Sequence, residues 1–283
     1  MRGILGPVKG TDGARRILIT GGAGGMGLAC AARMGAGGDE ILLTDIGAAA
    51  LEKAARGLAR PGTRVRSFAC DLADPRCGEA IADALRGGPP LGALVHTAGL
   101  SPVMADWRKI IEVDLVGTAR VLDAALPFLG RGSAAICIAS IAGYLVPADP
   151  AIAALMADPL AEGLLDRLDA LPGRPVSSPA AAYAHAKRAV RALVARSAAA
   201  FAARGARIVS LSPGMIATPM GRLEFEKQPA MKVMLERTPL ARMGEPDEIA
   251  CVVAFLCSPA AAFVTGCDLV VDGGVCAALG VPG

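Results

Sequence analysis

Arg16-Ile17-Leu18-Ile19-Thr20-Gly21-Gly22-Ala23-Gly24-Gly25-Met26-Gly27 is the stretch that decides the fold. A short, continuous apolar run ends in a cluster of glycines and passes at once into an Ala-rich segment of helical length. The run reads as a strand buried on both faces, and the glycines as a tight turn that lets the backbone approach a ligand closely. The segment after them, 25–36, reads as a helix. Its first turn presents free N–H groups and a positive dipole end, which suits a phosphate. The next apolar run, Glu40–Thr44, leads to Asp45, twenty positions beyond Gly25. That is close to the ~20-residue spacing at which a carboxylate meets the ribose of a bound dinucleotide.

The same rhythm continues along the chain. Apolar runs at Arg16–Thr20, Glu40–Thr44, Arg64–Ala69, Ala93–His96, Ala134–Ala139, Arg207–Leu211 and Asp268–Val271 alternate with helical segments. The segments lie near 25–36, 48–59, 76–86, 106–129, 180–203 and 246–257. Strands alternating with helices predict βαβ units with right-handed crossovers. The expected fold class is α/β: a doubly wound parallel sheet in a three-layer αβα sandwich, one domain over 1–283. Only residues 144–178 break the pattern. They are rich in Pro, contain no clear strand, and stand where a strand should feed a helix.

Composition narrows the class. The 283 residues are 53% hydrophobic and 19% charged with a net charge of +3, which excludes general disorder and argues against nucleic acid as a partner. The eight Cys form no Cys-x-x-Cys pair, and several sit in apolar runs. They read as reduced, mostly buried thiols, so a cytoplasmic location is expected and a disulfide framework is not. Met1–Arg16 lacks the apolar centre of a secretory signal. No apolar run nears the ~18–20 residues of a membrane span, so no membrane partner is expected. Two His and unpaired Cys do not build a metal site, and none is expected.

Tyr183 and Lys187 stand four apart on a predicted helix and share a face. A free Tyr titrates near pKa ~10, and a neighbouring ammonium stabilises its phenolate. Such a pair can exchange a proton with an alcohol or carbonyl oxygen. Ser140, at the end of the fifth predicted strand, is placed to hydrogen-bond the same oxygen. Asp45 repels a 2′-phosphate, and neither Gly24 nor Ile46 supplies a compensating charge, so NAD is expected rather than NADP.

Taken in order, Thr20-Gly21-x-x-x-Gly25-x-Gly27, Asp71, Ala98-Gly99, Ser140, Tyr183-x-x-x-Lys187 and Pro213-Gly214 resemble the short-chain dehydrogenase/reductase family over nearly the whole chain. The resemblance implies a Rossmann-type fold, an NAD-dependent alcohol/carbonyl oxidoreductase and a small-molecule substrate. It assigns catalysis to Ser140, Tyr183 and Lys187, with Asp114 at the position of the family's catalytic Asn. It assigns cofactor contacts to Gly21, Gly24, Gly25, Met26, Gly27, Asp45 and Ile46. Further contacts fall on Asp71, Leu72, Ala98, Gly99, Tyr183, Lys187, Pro213, Gly214, Ile216 and Thr218. The glycine loop and the Tyr-x-x-x-Lys spacing set the chain apart from the epimerase-type and enoyl-reductase-type branches.

Three departures stand out. The chain contains no Asn. The family's Asn-Asn-Ala-Gly reads His96-Thr97-Ala98-Gly99, and His96 is expected as a strand-end residue without catalytic work; His185 receives no role either. Ser140 and Tyr183 are 43 positions apart, far beyond the family's usual spacing, so 144–178 is an insertion expected near the active-site mouth. That trait is similar to the 3α-hydroxysteroid dehydrogenase/carbonyl reductase subgroup. Tyr144, Leu145, Val146, Leu155 and Met156, with Met215, Met220, Leu223, Phe225, Met231 and Met234, are expected to line a pocket for an apolar, alicyclic substrate. The family implies a homo-oligomer, dimer or tetramer. An exposed face bearing Arg188, Arg191, Arg196 and Arg204 argues against pairing of the helix 180–203. The alternative to an enzyme is a dinucleotide-binding regulator with little turnover.

Overall fold

The computed structural model of the chain describes residues 15–35 and 39–281. The reading of Met1–Arg16 and the end of the first helix at Ala36 fall partly outside these residues. Seven strands are formed: β1 (Arg16–Thr20), β2 (Glu40–Asp45), β3 (Arg64–Ala69), β4 (Leu91–His96), β5 (Leu129–Ile138), β6 (Arg207–Pro213) and β7 (Asp268–Val271). They make one parallel sheet in the order β3-β2-β1-β4-β5-β6-β7.

Strand periodicity builds the two cores. Successive side chains point to opposite faces. The row Leu42–Leu18–Leu94–Ala135–Ile208 runs across five strands in register and lies wholly in one buried cluster. One step along, Leu43–Ile19–Val95–Ile136–Val209 lies wholly in the other. Both faces must therefore be covered. Helices α1 (Gly25–Met34) and α2 (Ala48–Leu58) pack on the second face, as does Pro246–Leu256. On the first face lie α3 (Cys77–Leu85), α4 (Trp107–Ile111) and α5 (Thr118–Ala125), together with the long helix Pro179–Ala203. The result is the three-layer, Rossmann-type sandwich.

The order of strand addition reverses between β1 and β4, where a crevice opens at the carboxyl ends of the strands. The glycine loop, Asp45, Ala98-Gly99 and Ser140 all follow strand ends at this edge.

The structure corrects several sequence expectations. The segment 106–129 is not one continuous α-helix. A π-helical turn, Glu112–Gly117, separates α4 from α5, and a 3₁₀ turn, Leu126–Phe128, closes the segment. Gly117 belongs to the reason: a Cβ there would lie 2.9 Å from the Cβ of Leu72. The 144–178 segment contains no strand, as expected, and is helical in part. It starts within α6 (Ala142–Leu145) and forms α7 (Pro150–Met156) and α8 (Leu164–Asp169) before α9 (Pro179–Ala203) begins. Pro150 sits in the first turn of α7, behind an Asp149 side chain that accepts from Ala151 N and Ile152 N. Pro179 starts α9 behind a Ser178 cap. These prolines mark helix starts, where a missing N–H costs little.

Ile152, Met156, Leu164, Leu168 and Val176 of this segment join the core cluster of Ala182, Ala186 and Val190 on α9. The expectation that Met156 lines a pocket is therefore replaced by core burial. Arg188 and Arg191 are half-buried rather than exposed. Their guanidinium groups donate to the carbonyls of Val146 (3.2 Å) and Gly143 (3.3 Å), while Arg196 donates to that of Ala157 (3.0 Å). Among the described residues, no helix is long and apolar enough to cross a membrane.

Candidate active site

The crevice holds a cavity of about 560 Å³. Its lining includes Gly21, Gly24, Gly25, Met26, Gly27, Asp45, Ile46, Asp71, Leu72, Ala98, Gly99 and Thr218. Gly21 has φ +67°, and a Cβ there would lie 2.7 Å from Ala98 N. A Cβ on Gly27 would run into the Gly21 carbonyl. Only glycine lets the loop fold this tightly against β4.

The N-cap of α1 is Gly24, which offers no side-chain cap, and the first turn carries no acidic residue. The orphan N–H groups are thus left for an anion at the cavity wall. Asp45 is held by the loop itself: Oδ2 accepts from Ala23 N (3.2 Å) and Oδ1 from Ile46 N (2.8 Å). These features fit the pyrophosphate and ribose of a dinucleotide. Tyr183, Lys187, Pro213, Gly214 and Ile216 are not in the lining; Ile216 instead borders a smaller cavity with Met215 and Gly244.

The lining also includes residues that sequence reasoning missed: Cys70, Thr97, Leu100, Met104, Lys109 and Val113. Lys109 lies 3.6 Å from the Asp71 carboxylate. Its only sequence signal was a place on the fourth predicted helix, and nothing there brings it near β3. Met220 and Leu223 reach the cavity as expected. Met234 packs instead near Ile141, Val275 and Cys276.

The residues expected to be catalytic gather around Lys187 and Asp114, which lie directly behind Gly99. A Cβ on Gly99 would stand 3.1 Å from Lys187 Nζ and 3.4 Å from Asp114 Oδ1. Lys187 is buried; its ammonium lies 3.1 Å from Asp114 Oδ2, 3.5 Å from the Ile138 carbonyl and 5.5 Å from the centre of the Tyr183 ring. Asp114 is 0% exposed, and its Oδ1 accepts from Leu100 N at 2.7 Å. The Ser140 hydroxyl accepts from Ala142 N and stands beside the Tyr183 phenol. Burial pushes the phenol above its ordinary pKa, while the Lys187 ammonium and Ser140 hydroxyl pull it down; the net direction is upward. The lowering expected from Lys187 is present but outweighed.

His96 is buried and bridges two elements. The Thr118 hydroxyl donates to the Asp114 carbonyl (2.7 Å), so it accepts from His96 Nε2 (2.8 Å). His96 Nδ1 then accepts from the Thr20 hydroxyl (2.7 Å). Burial pushes the imidazole down to about 3, so it stays neutral. His185 is buried on α9, and burial lowers its pKa too.

Comparison with known proteins identifies the family. Residues 15–152 match the family model described as short chain dehydrogenase, and 168–276 match one described as enoyl-(acyl carrier protein) reductase. A short-chain dehydrogenase/reductase of Alternaria brassicicola, bsc3, is 34% identical over 278 residues, covering 93% of this chain and 96% of that protein. This chain belongs to the short-chain dehydrogenase/reductase family. The 3-alpha-hydroxysteroid dehydrogenase/carbonyl reductase of Comamonas testosteroni is 32% identical over 70% of this chain and 77% of its own length. Among solved structures, a short-chain dehydrogenase/reductase of Brucella melitensis titled glucose/ribitol dehydrogenase superposes with a TM-score of 0.73. It is 30% identical, over 92% of this chain and 96% of that one. As a short-chain dehydrogenase/reductase, the chain is an oxidoreductase of alcohol and carbonyl groups that uses a nicotinamide dinucleotide.

Proposed function

We propose that the chain is an NAD-dependent dehydrogenase that interconverts a secondary alcohol and a ketone on an apolar, alicyclic substrate. The observation that carries it is Lys187, packed behind the cavity-lining Gly99 and 5.5 Å from the Tyr183 ring, one layer from a cavity that the glycine loop also lines. Bound dinucleotide supplies the hydride acceptor or donor. The chain's own residues do the rest. Ser140 holds the substrate oxygen, Tyr183 exchanges its proton, and Lys187 stabilises the phenolate. The α1 N-terminus and the glycine loop hold the pyrophosphate, and Asp45 holds the ribose. The description of the 168–276 match as an enoyl reductase names a chemistry that the Tyr-x-x-x-Lys spacing argues against, and we read that match as family rather than substrate. Formation of NADH from NAD and a panel of alcohols tests turnover. Binding of NAD with no turnover on any alcohol would favour the regulator reading.

Leu100, Met104, Val113, Met220 and Leu223 give the cavity an apolar end, which supports the alicyclic substrate. Cyclohexanol against galactitol in the panel tests this preference.

Asp45 predicts the cofactor. NAD binds far more tightly than NADP, and Asp45→Ala with Ile46→Arg shifts the preference toward NADP. Equal or better use of NADP by the unaltered protein would overturn this.

The insertion bears on assembly. The hydrogen bonds from Arg188, Arg191 and Arg196 to 143–157 place this segment over one side of α9. We infer a homodimer that leaves α9 unpaired, and light scattering should return two copies. A tetramer built on paired α9 helices would refute it.

A further inference from the structure

We propose that Asp114 sets the pH range in which Tyr183 exchanges protons, by lodging a full negative charge behind Lys187; this rests on Tyr183 being the proton-transferring group. An amide at this position would carry no net charge. The carboxylate does, and the structure holds it in place from several sides. Oδ1 accepts from Leu100 N at 2.7 Å, and Oδ2 sits 3.1 Å from the Lys187 ammonium. The backbone is fixed too. The Asp114 carbonyl accepts from Thr118, which is braced in turn by His96 and Thr20. The carboxylate therefore cannot turn to solvent, and with 0% exposure neither water nor salt screens it well.

The groups around the phenol can be enumerated. Lys187, on the same helix, favours the phenolate, whereas Asp114 on the π turn and Glu224 on the helix Pro219–Lys227 oppose it. His96 on β4 and Cys137 on β5 face Lys187. Burial holds His96 down at about 3 and pushes Cys137 up to about 12, so both are uncharged near neutrality. Charge reaches Tyr183 only from Lys187, Asp114 and Glu224 among these groups. Burial pushes the Asp114 carboxyl up, Lys187 and Leu100 N pull it back, and the net direction is upward; its charge is held by the 3.1 Å contact to the Lys187 ammonium and the 2.7 Å hydrogen bond from Leu100 N. The Asp114 charge cancels part of the help that Lys187 gives to the phenolate. Tyr183 thus stays protonated to higher pH than it would beside a neutral amide. At neutral pH it is poised to donate a proton to a carbonyl, and alcohol oxidation is pushed toward alkaline pH.

Asp114→Asn removes the charge and keeps the shape. The rising limb of kcat/KM for alcohol oxidation, measured with NAD and the fastest alcohol of the panel, should move to lower pH by about one pH unit. Below the inflection the variant would then be about tenfold faster, since one pKa unit is tenfold in phenolate. A second readout needs no substrate. The chain has only two Tyr. The near-ultraviolet phenolate absorbance of the NAD-bound protein, minus that of Tyr183→Phe, isolates Tyr183. Its midpoint should fall in Asp114→Asn by the same amount. Asp114→Ser also lacks the charge and still offers an oxygen to Leu100 N, so it carries the same test if the amide does not fold. An unmoved midpoint overturns the proposal. So does an upward shift, which would mean that Asp114 serves mainly to keep Lys187 charged. Failure of the Tyr183 reading looks different: Tyr183→Phe would then retain its activity.

Discussion

Tyr183→Phe should lower kcat/KM by ~10²–10⁴-fold, the usual contribution of a positioned general acid or base. The substitution removes one hydroxyl. The ring still packs against the core cluster and still lies beside the Lys187 ammonium. NAD affinity, measured by fluorescence or calorimetry, should therefore stay nearly constant while turnover collapses. That split separates lost chemistry from a damaged site. A loss below tenfold would show that another group moves the proton.

The second large effect is on stability. Arg16, at the start of β1, is among the largest fully buried side chains. Its guanidinium lies 2.7 Å from Glu40 on β2 and donates to the carbonyls of Ala84 and Leu85 at 3.0 Å. Glu40→Ala leaves this charge buried without its carboxylate, and breaking such a pair from one side costs about 3–5 kcal/mol. The melting temperature should drop by roughly 10 °C. Arg16→Met with Glu40→Leu should recover much of the loss, because the desolvation of both charges disappears together. Equal melting of Glu40→Ala and the unaltered protein would mean that water takes the place of the lost carboxylate beside Arg16.

Sequence periodicity alone was enough for the strands. β1, β3 and β7 have the expected limits, and the others differ by a few residues at their ends. A strand buried on both faces must be a short apolar run, and the glycine loop needs residues without Cβ, so both leave a local mark. Tyr183 and Lys187 were legible for the same reason: four residues on a helix fix their shared face.

The π turn at Glu112–Gly117 left no such mark. It depends on Gly117 meeting Leu72 and on Thr118 reaching the Asp114 carbonyl, contacts between residues brought together by packing. Lys109 and Cys70 reach the cavity only because β3 and α4 converge there. The length and sequence of 144–178 announced an insertion, but its seat against α9 is set by Ile152, Met156 and Leu168 packing back onto the apolar face of the helix that follows. Sequence by itself determined the strand and helix pattern, the glycine loop and the spacing of Tyr183 and Lys187, because each is encoded within a few neighbouring residues. Tertiary structure alone decided the Asp114–Lys187 ion pair, the neutral state of His96 and the buried Arg16–Glu40 pair, because charge and burial depend on which distant side chains exclude water around them.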